Sequence, residues 1–283
     1  MIERGSAQAA GTNVTAPAKP IGEFVCRVRE NTWVNPEYKH LVLEAPAAAL
    51  VAGPGQFFHL LCPATDTEAP FLRRPMSVYR GDQSAGRLEF LYKVVGAGTR
   101  VMAALEPGDD FEVLGPLGHG FEIDPTWRRI VIVARGVGLA TLAPLVTAAK
   151  AASIGVSAIL SARSPELLMS ADSMAADGAD VVTLTDAEGS SDPAEVEDLV
   201  RSLVGTTPID AFATCGSNRL LELLQRLGAE YDIPGQVALE QTMGCGLGMC
   251  FCCVRRVRTP DGEVYKRVCW EGPVFDLQEV IVP

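Results

Sequence analysis

The stretch Met243-Gly-Cys-Gly-Leu-Gly-Met-Cys-Phe-Cys-Cys-Val254 places four cysteines, Cys245, Cys250, Cys252 and Cys253, within nine positions and separates them with glycine. Four residues lie between Cys245 and Cys250, two between Cys250 and Cys253, and fifteen more before Cys269. This C-x4-C-x2-C…C spacing is that of a plant-type [2Fe–2S] cluster. A loop wrapped round such a cluster brings its backbone close to inorganic sulfide. Glycines at 244, 246 and 248 remove the Cβ atoms there and tolerate unusual φ. Residues 255–270 resemble a hairpin turning at Asp261-Gly262, which carries Cys269 back to the loop. The expected ligands are therefore Cys245, Cys250, Cys253 and Cys269, with Cys252 left over. Two other readings stay open on spacing alone: a zinc site, which usually pairs two short C-x2-C units, and a set of buried reduced thiols.

Outside this loop, the composition narrows the possibilities. The chain has 283 residues, 48% of them hydrophobic, enough to bury more than one core. The formal charge of -11 argues against general affinity for nucleic acid or anionic membrane. The longest uncharged apolar run, Gly136 to Ala149, is too short to span a bilayer. No basic start is followed by an apolar stretch and a cleavage site. The reading is a cytoplasmic protein, in which eight cysteines point to metal or redox chemistry rather than disulfides.

Residues 1–19 lack hydrophobic periodicity and read as a flexible tail. Residues 20–125 carry short apolar runs broken by Gly and Pro, the pattern of a closed antiparallel β-barrel. Residues 126–236 alternate strands with helices and read as a parallel α/β lobe. Residues 237–283 form a small cysteine module. The fold class is thus multidomain, β plus α/β, with a C-terminal cluster module.

In the barrel, the strand Arg74-Pro75-Met76-Ser77 presents an arginine able to make paired hydrogen bonds to phosphate. Ser77, three residues on, reaches the polar edge of a ring lying along the strand. Gly96, Gly98 and Thr99 offer a turn and a helix start with free amides. Singly these are ordinary surface features. Together, ahead of an α/β lobe and a cysteine module, they point to a flavin.

The segments RRPMSV, LYKVVGAGT, LGPLGHGF, MGCGLGMCFCCV and RVCWEGPVF resemble those of the electron-transfer subunit of the NAD-using class of dihydroorotate dehydrogenase. That family is a branch of the ferredoxin-NADP reductase superfamily, and the resemblance spans about residues 21 to 283. It implies FAD held by Arg74, Ser77, Leu91, Tyr92, Lys93, Gly98 and Thr99, and a [2Fe–2S] cluster on the four cysteines. It also implies NAD(H) or NADP(H) as co-substrate, and a separate catalytic flavoprotein subunit in a hetero-oligomer. The docking surface is expected where Met249, Cys252 and Trp270 surround the cluster. No group in the chain suits an organic substrate, which implies an auxiliary role.

The family's nucleotide loop, A-G-G-I-G-x-A-P, corresponds here to ARGVGLAT. Gly136 and Gly138 remain, while Arg135 replaces a glycine and Thr141 the proline. Cys215 and Gly216 match the family's contacts near the nicotinamide, and Ser217 stands where proline is usual. The second strand ends in Arg163 with no acid for a ribose 2′-hydroxyl, leaving NAD(H) and NADP(H) both open. These departures admit a second reading: a reductase serving an oxygenase or another flavoenzyme outside pyrimidine synthesis, with the nucleotide site altered or lost. A third is a colourless redox-sensing or zinc-binding interaction module. His40, His59 and His119 show no ligand spacing and read as structural or exposed. Cys26 and Cys62 read as core thiols, and Asp192 as the N-cap of a solvated helix.

Overall fold

The computed structural model describes residues 21–282, so the tail expected over 1–19 lies outside the described residues. The first half is a seven-stranded antiparallel sheet built from β1 (Gly22–Trp33), β2 (Tyr38–Glu44), β3 (Phe57–Leu60), β4 (Arg74–Ser77), β5 (Arg80–Asp82), β6 (Arg87–Lys93) and β7 (Asp110–Leu117). Helix α1 (Ala97–Ala103) sits between β6 and β7. The strand order is β4-β3-β7-β1-β2-β6-β5. The sheet curls into the expected barrel, although its end strands β4 and β5 share no ladder. The chain itself links them through Val78 and Tyr79. The Val78 amide donates to Gln56 O on the β3 side, and the Tyr79 amide donates to Glu89 O on β6. Inside the curl, Leu41, Leu43, Phe58, Leu60, Phe90 and Tyr92 are fully buried.

The second half alternates β8 (Arg129–Arg135), α2 (Gly138–Ala151), β9 (Gly155–Ala162), α3 (Ala171–Ala176), β10 (Asp180–Thr185), α4 (Pro193–Thr206), β11 (Ala211–Cys215), α5 (Asn218–Tyr231) and β12 (Gly235–Ala238). The strands pair in parallel in the order β10-β9-β8-β11-β12. Helices cover both faces, so β8, β9 and β11 read as continuous apolar runs and are buried almost throughout. Asp192 caps α4 as expected, accepting from the Ala194 amide at 3.1 Å. The strand order reverses between β8 and β11, the crevice where open α/β sheets bind ligands.

The cysteine module is not free-standing. After the hairpin of β13 (Val254–Thr259) and β14 (Gly262–Arg267), β15 (Val274–Asp276) pairs antiparallel with β12 and becomes the sixth strand of the α/β sheet. Phe275, Leu277 and Val280 are buried in one core with Leu221, Leu224 and Leu227 of α5 and with Cys253 and Cys269. A module of this size has little core of its own, and it borrows that of the lobe. Phe275→Ala should therefore destabilise the lobe by about 3–5 kcal/mol, and melting followed by far-UV circular dichroism should show lobe and module lost in one shifted transition.

Candidate functional site: a flavin cleft, a nucleotide crevice and a cysteine loop

The cysteine loop is shaped by the hairpin and by backbone amides. Val254 pairs with Arg267 and Thr259 with Gly262, so the turn residues are Pro260 and Asp261, with Gly262 opening β14 at φ +120°. This pairing brings Cys253 and Cys269 together at the open end of the hairpin. The Val268 amide donates to Cys253 O at 3.0 Å, and the Cys269 amide points at Cys253 Sγ at 3.4 Å. The Leu247 amide donates to Cys245 Sγ at 3.4 Å and the Gly248 amide to Cys269 Sγ at 3.2 Å. Gly246 and Gly248 adopt φ of +69° and +75°. A Cβ on Gly248 would lie 2.9 Å from the Trp270 ring, so glycine lets the loop rest on the indole. Arg267 donates to Gly248 O at 2.8 Å and holds the loop's outer turn.

The thiols influence one another, Cys245 through Cys250, and Cys269 through Cys253 and, less strongly, Cys245. Cys253 and Cys269 are buried, whereas Cys250 and Cys252 are exposed. Burial acts to raise the Cys245 thiol, but the amides of Leu247, Cys250 and Met249 and the Cys250 thiol outweigh it and bring it down to about 7. Burial and the neighbouring Cys253 push Cys269 up to about 12. Among the described residues no three Cys, His, Asp or Glu side chains converge to hold a single ion. Neighbouring thiols with amides aimed at the sulfurs of Cys245, Cys253 and Cys269 fit a cluster that takes four thiolates over two irons. Phe251, at φ +55°, is exposed, as is Met249. Trp270, expected on this surface, is half-buried beneath Gly248 instead.

A cavity of about 510 Å³ runs from the curled sheet to the lobe and the start of the cysteine loop. Pro75, Met76, Ser77, Leu91, Tyr92, Lys93 and Thr99 all border it, together with Phe57, Thr141 and Met243. Tyr92 contributes backbone only in practice: its ring is in the sheet's core and its hydroxyl donates to Asn31 Oδ1 at 3.0 Å. Thr99 spends its hydroxyl on its own turn, accepting from the Val95 and Gly96 amides at 2.9 and 3.0 Å. Those two amides are therefore taken. Arg74 lies outside the cavity's border but folds over Gly98, where a Cβ would come within 2.5 Å of its Nε. A guanidinium laid against a bare backbone, at the mouth of a cleft edged by Ser77 and Lys93, fits a flavin with its phosphates.

At the sheet's switch point the turns after β8 and β11 touch. A Cβ on Gly138 would lie 2.4 Å from Cys215 O, and one on Gly216, at φ +97°, would lie 2.1 Å from Arg135 O. Both glycines thus permit this backbone contact. Two cavities open beside it. One, of about 300 Å³, is bordered by Cys215, Gly216 and Ser217; the other, of about 220 Å³, by Arg135, Gly136 and Arg163. Arg135 does not fill the space left by the family's glycine. It turns to Asp186 beyond β10, at 2.6 Å. Arg163 reaches across to Glu37 of the curled sheet.

Two residues stand out that sequence patterns did not reveal. Glu240 borders all three cavities, where the cleft meets the crevice. Surrounding protein raises its pKa, while the bond from Cys215 Sγ, at 3.9 Å, acts the other way. Its only signal was an acid within the run VALEQTM. Thr141, noted as a departure, donates to Ser77 Oγ at 3.2 Å and also meets the Cys215 thiol. Burial holds that thiol well above its usual pKa. Thr141 thereby joins the two lobes at the junction. His59, read as structural or exposed, is buried, and burial with the nearby Arg73 charge lowers it to about 4.

Curled sheet, α/β lobe and cysteine loop together define a flavin reductase of the ferredoxin-reductase type with an appended iron–sulfur module. Residues 25–121 match the oxidoreductase FAD-binding domain, and residues 240–281 match the iron-sulfur cluster binding domain of dihydroorotate dehydrogenase B. The chain is 32% identical over 258 residues to the dihydroorotate dehydrogenase B (NAD(+)) electron transfer subunit of Desulforamulus reducens, covering 91% of this chain and 98% of the relative. It is 33% identical over 246 residues to that of a Geobacillus species, covering 86% and 90%. The chain belongs to this family of electron transfer subunits. In fold it is similar to the NADH-dependent reduced ferredoxin-NADP oxidoreductase, at a TM-score of 0.76 and 23% identity, covering 95% of this chain and 91% of that one. It is also similar to the ferredoxin reductase of carbazole 1,9a-dioxygenase, at a TM-score of 0.62 and 19% identity, covering 77% and 68%.

Two substitutions separate the cysteines. Cys269→Ser should abolish the visible absorbance of the cluster and its iron content while FAD stays bound, and Cys252→Ser should leave both unchanged. Thr141→Val, which loses one neutral hydrogen bond of about 1 kcal/mol, should slow reduction of the flavin by nicotinamide about five-fold in stopped-flow traces. Thr141→Ser should restore the rate.

Proposed function

We propose that this chain passes electrons between a nicotinamide dinucleotide and a separate flavoenzyme subunit that acts on dihydroorotate. The observation that carries the reading is one short segment. Residues 239–243 border the flavin cleft, Glu240 also borders the nucleotide crevice, and the first cluster cysteine follows at 245. When bound, FAD exchanges an electron pair with the nicotinamide and the [2Fe–2S] cluster carries single electrons outward.

The chain's own residues bind, orient and exclude water. Arg74 and the turn at Gly98 and Thr99 hold the flavin's phosphates, and Pro75, Met76, Leu91 and Lys93 form the wall along its ring. Ser77 would meet the ring's polar edge, its hydroxyl positioned by Thr141. Cys245, Cys250, Cys253 and Cys269 hold the cluster as thiolates. Gly136, Cys215 and Gly216, which border the crevice, would hold the nicotinamide end, with Gly138 letting the two turns close beneath it. Glu240 keeps a proton at that junction to higher pH than a solvated carboxyl does.

The catalytic partner docks on the exposed rim formed by Met249, Phe251 and Cys252, beside the exposed Cys250. Among the described residues no helix is long and apolar enough to cross a membrane.

Anaerobic titration of the purified protein with NADH and NADPH, following the flavin band, tests this. NADH is expected to bleach the flavin. Adding a dihydroorotate-oxidising subunit should couple dihydroorotate to NAD(+) reduction. Failure of both nucleotides to reduce the flavin would overturn the reading, and reduction without coupling would assign the chain to a different partner enzyme.

A further inference from the structure

His59 lies in β3, opposite Pro75 of the flavin strand β4 and Leu114 of β7. It is 1% exposed, and its Nε2 is buried without a hydrogen-bond partner. Phe57, two residues earlier and on the same side of the strand, packs its ring 5.8 Å from the imidazole. Phe57 borders the flavin cleft and shares a core with Cys253 and Cys269. The His59 side chain thus points away from the interior of the curled sheet and toward the cysteine module.

What it meets there is the cysteine loop. A Cβ on Gly246 would lie 2.8 Å from His59 Nε2, 2.9 Å from Cδ2 and 3.0 Å from Cε1. Gly246 directly follows Cys245 and takes φ +69°. The absence of a side chain at 246 is what admits the imidazole edge to the loop. A neutral imidazole carries one N–H and one lone pair. An unpaired buried polar atom costs about 1–3 kcal/mol, and such atoms in folded proteins are nearly always paired. The acceptors that a loaded loop brings to this place are sulfur atoms. The loop amides of Leu247 and Gly248 already point at cysteine sulfur, so a further donor from β3 extends the same pattern to the side facing the flavin.

We propose that His59 is a positioning residue that donates a hydrogen bond from Nε2 to a sulfur at the Cys245 end of the bound cluster. The inference rests on the cysteine loop holding an iron–sulfur cluster. A donor there stabilises the extra negative charge of the reduced cluster and raises its reduction potential, because hydrogen bonds to the sulfurs are among the determinants of that potential. One strand then carries both duties: Phe57 and its neighbours border the flavin, and His59 sets how readily the cluster accepts an electron.

The full-length protein is purified anaerobically as wild type, His59→Leu and His59→Gln, and iron, sulfide and FAD are quantified in each. The cluster is then titrated reductively and followed by electron paramagnetic resonance. His59→Leu should disfavour cluster reduction by about tenfold in the equilibrium constant, which is 59 mV for a one-electron couple. His59→Gln, which keeps an N–H donor, should restore most of the loss. Equal potentials in all three, at matched cofactor content, would overturn the proposal. Should His59→Leu fail to retain its cluster, wild type labelled with ¹⁵N-histidine decides the matter by pulsed electron paramagnetic resonance. A histidine nitrogen coupled to the reduced cluster is expected, and its absence overturns the proposal. Wild type lacking iron and sulfide would instead remove the parent reading of the cysteine loop.

Discussion

The pairing of β15 with β12 is the constraint from which the site follows. Three residue pairs, Gln236–Asp276, Val237–Phe275 and Ala238–Val274, anchor the last segment to the edge of the α/β sheet. The loop between these two strands contains Cys245, Cys250, Cys253 and Cys269, the four proposed cluster ligands. Its two ends are therefore fixed by the lobe, and the hairpin within it then brings Cys269 to Cys253. Cluster binding and lobe stability are linked, because a metal that binds only the folded loop stabilises the fold that holds the loop.

The same anchoring orders the redox centres. The chain leaves β12 at Ala238 and passes Glu240 at the crevice before it reaches Cys245. Five residues span at most about 18 Å even when fully extended. The proposed nucleotide, flavin and cluster sites are thus held close by one short piece of backbone as well as by packing. Electrostatics at the junction points the same way, since burial raises the pKa values of both Cys215 and Glu240 and disfavours charge beside the cleft.

The nucleotide crevice keeps its architecture while changing its contacts. Gly138 and Gly216 let the two turns touch, so the switch point is intact in backbone terms. Arg135 turns aside to Asp186, and Arg163 to Glu37, so each added cation has a carboxylate partner within the protein. Thr141, in the position the family gives to proline, exchanges a rigid ring for a hydroxyl that ties helix α2 to the flavin strand. The junction between the lobes is consequently polar here as well as apolar.

Much of this was legible in the sequence. Cysteine spacing, the short Gly- and Pro-broken runs and the strand–helix alternation are local patterns, and each dictates a local structure that tertiary contacts then retain. Motif spacing likewise singled out Ser77, Lys93 and the four cysteines proposed as ligands, since the residue types carry their chemistry with them. Other features depended on which distant segments meet. Nothing in the sequence around His59 points to Gly246, 187 residues away, or joins Thr141 to Ser77, or sets Glu240 where three cavities join. Burial of Cys253 and Cys269 likewise follows from the core that their segment shares with α5. Chemical identity is written residue by residue along the chain, whereas contacts between remote residues exist only once strand order and packing have fixed who stands beside whom.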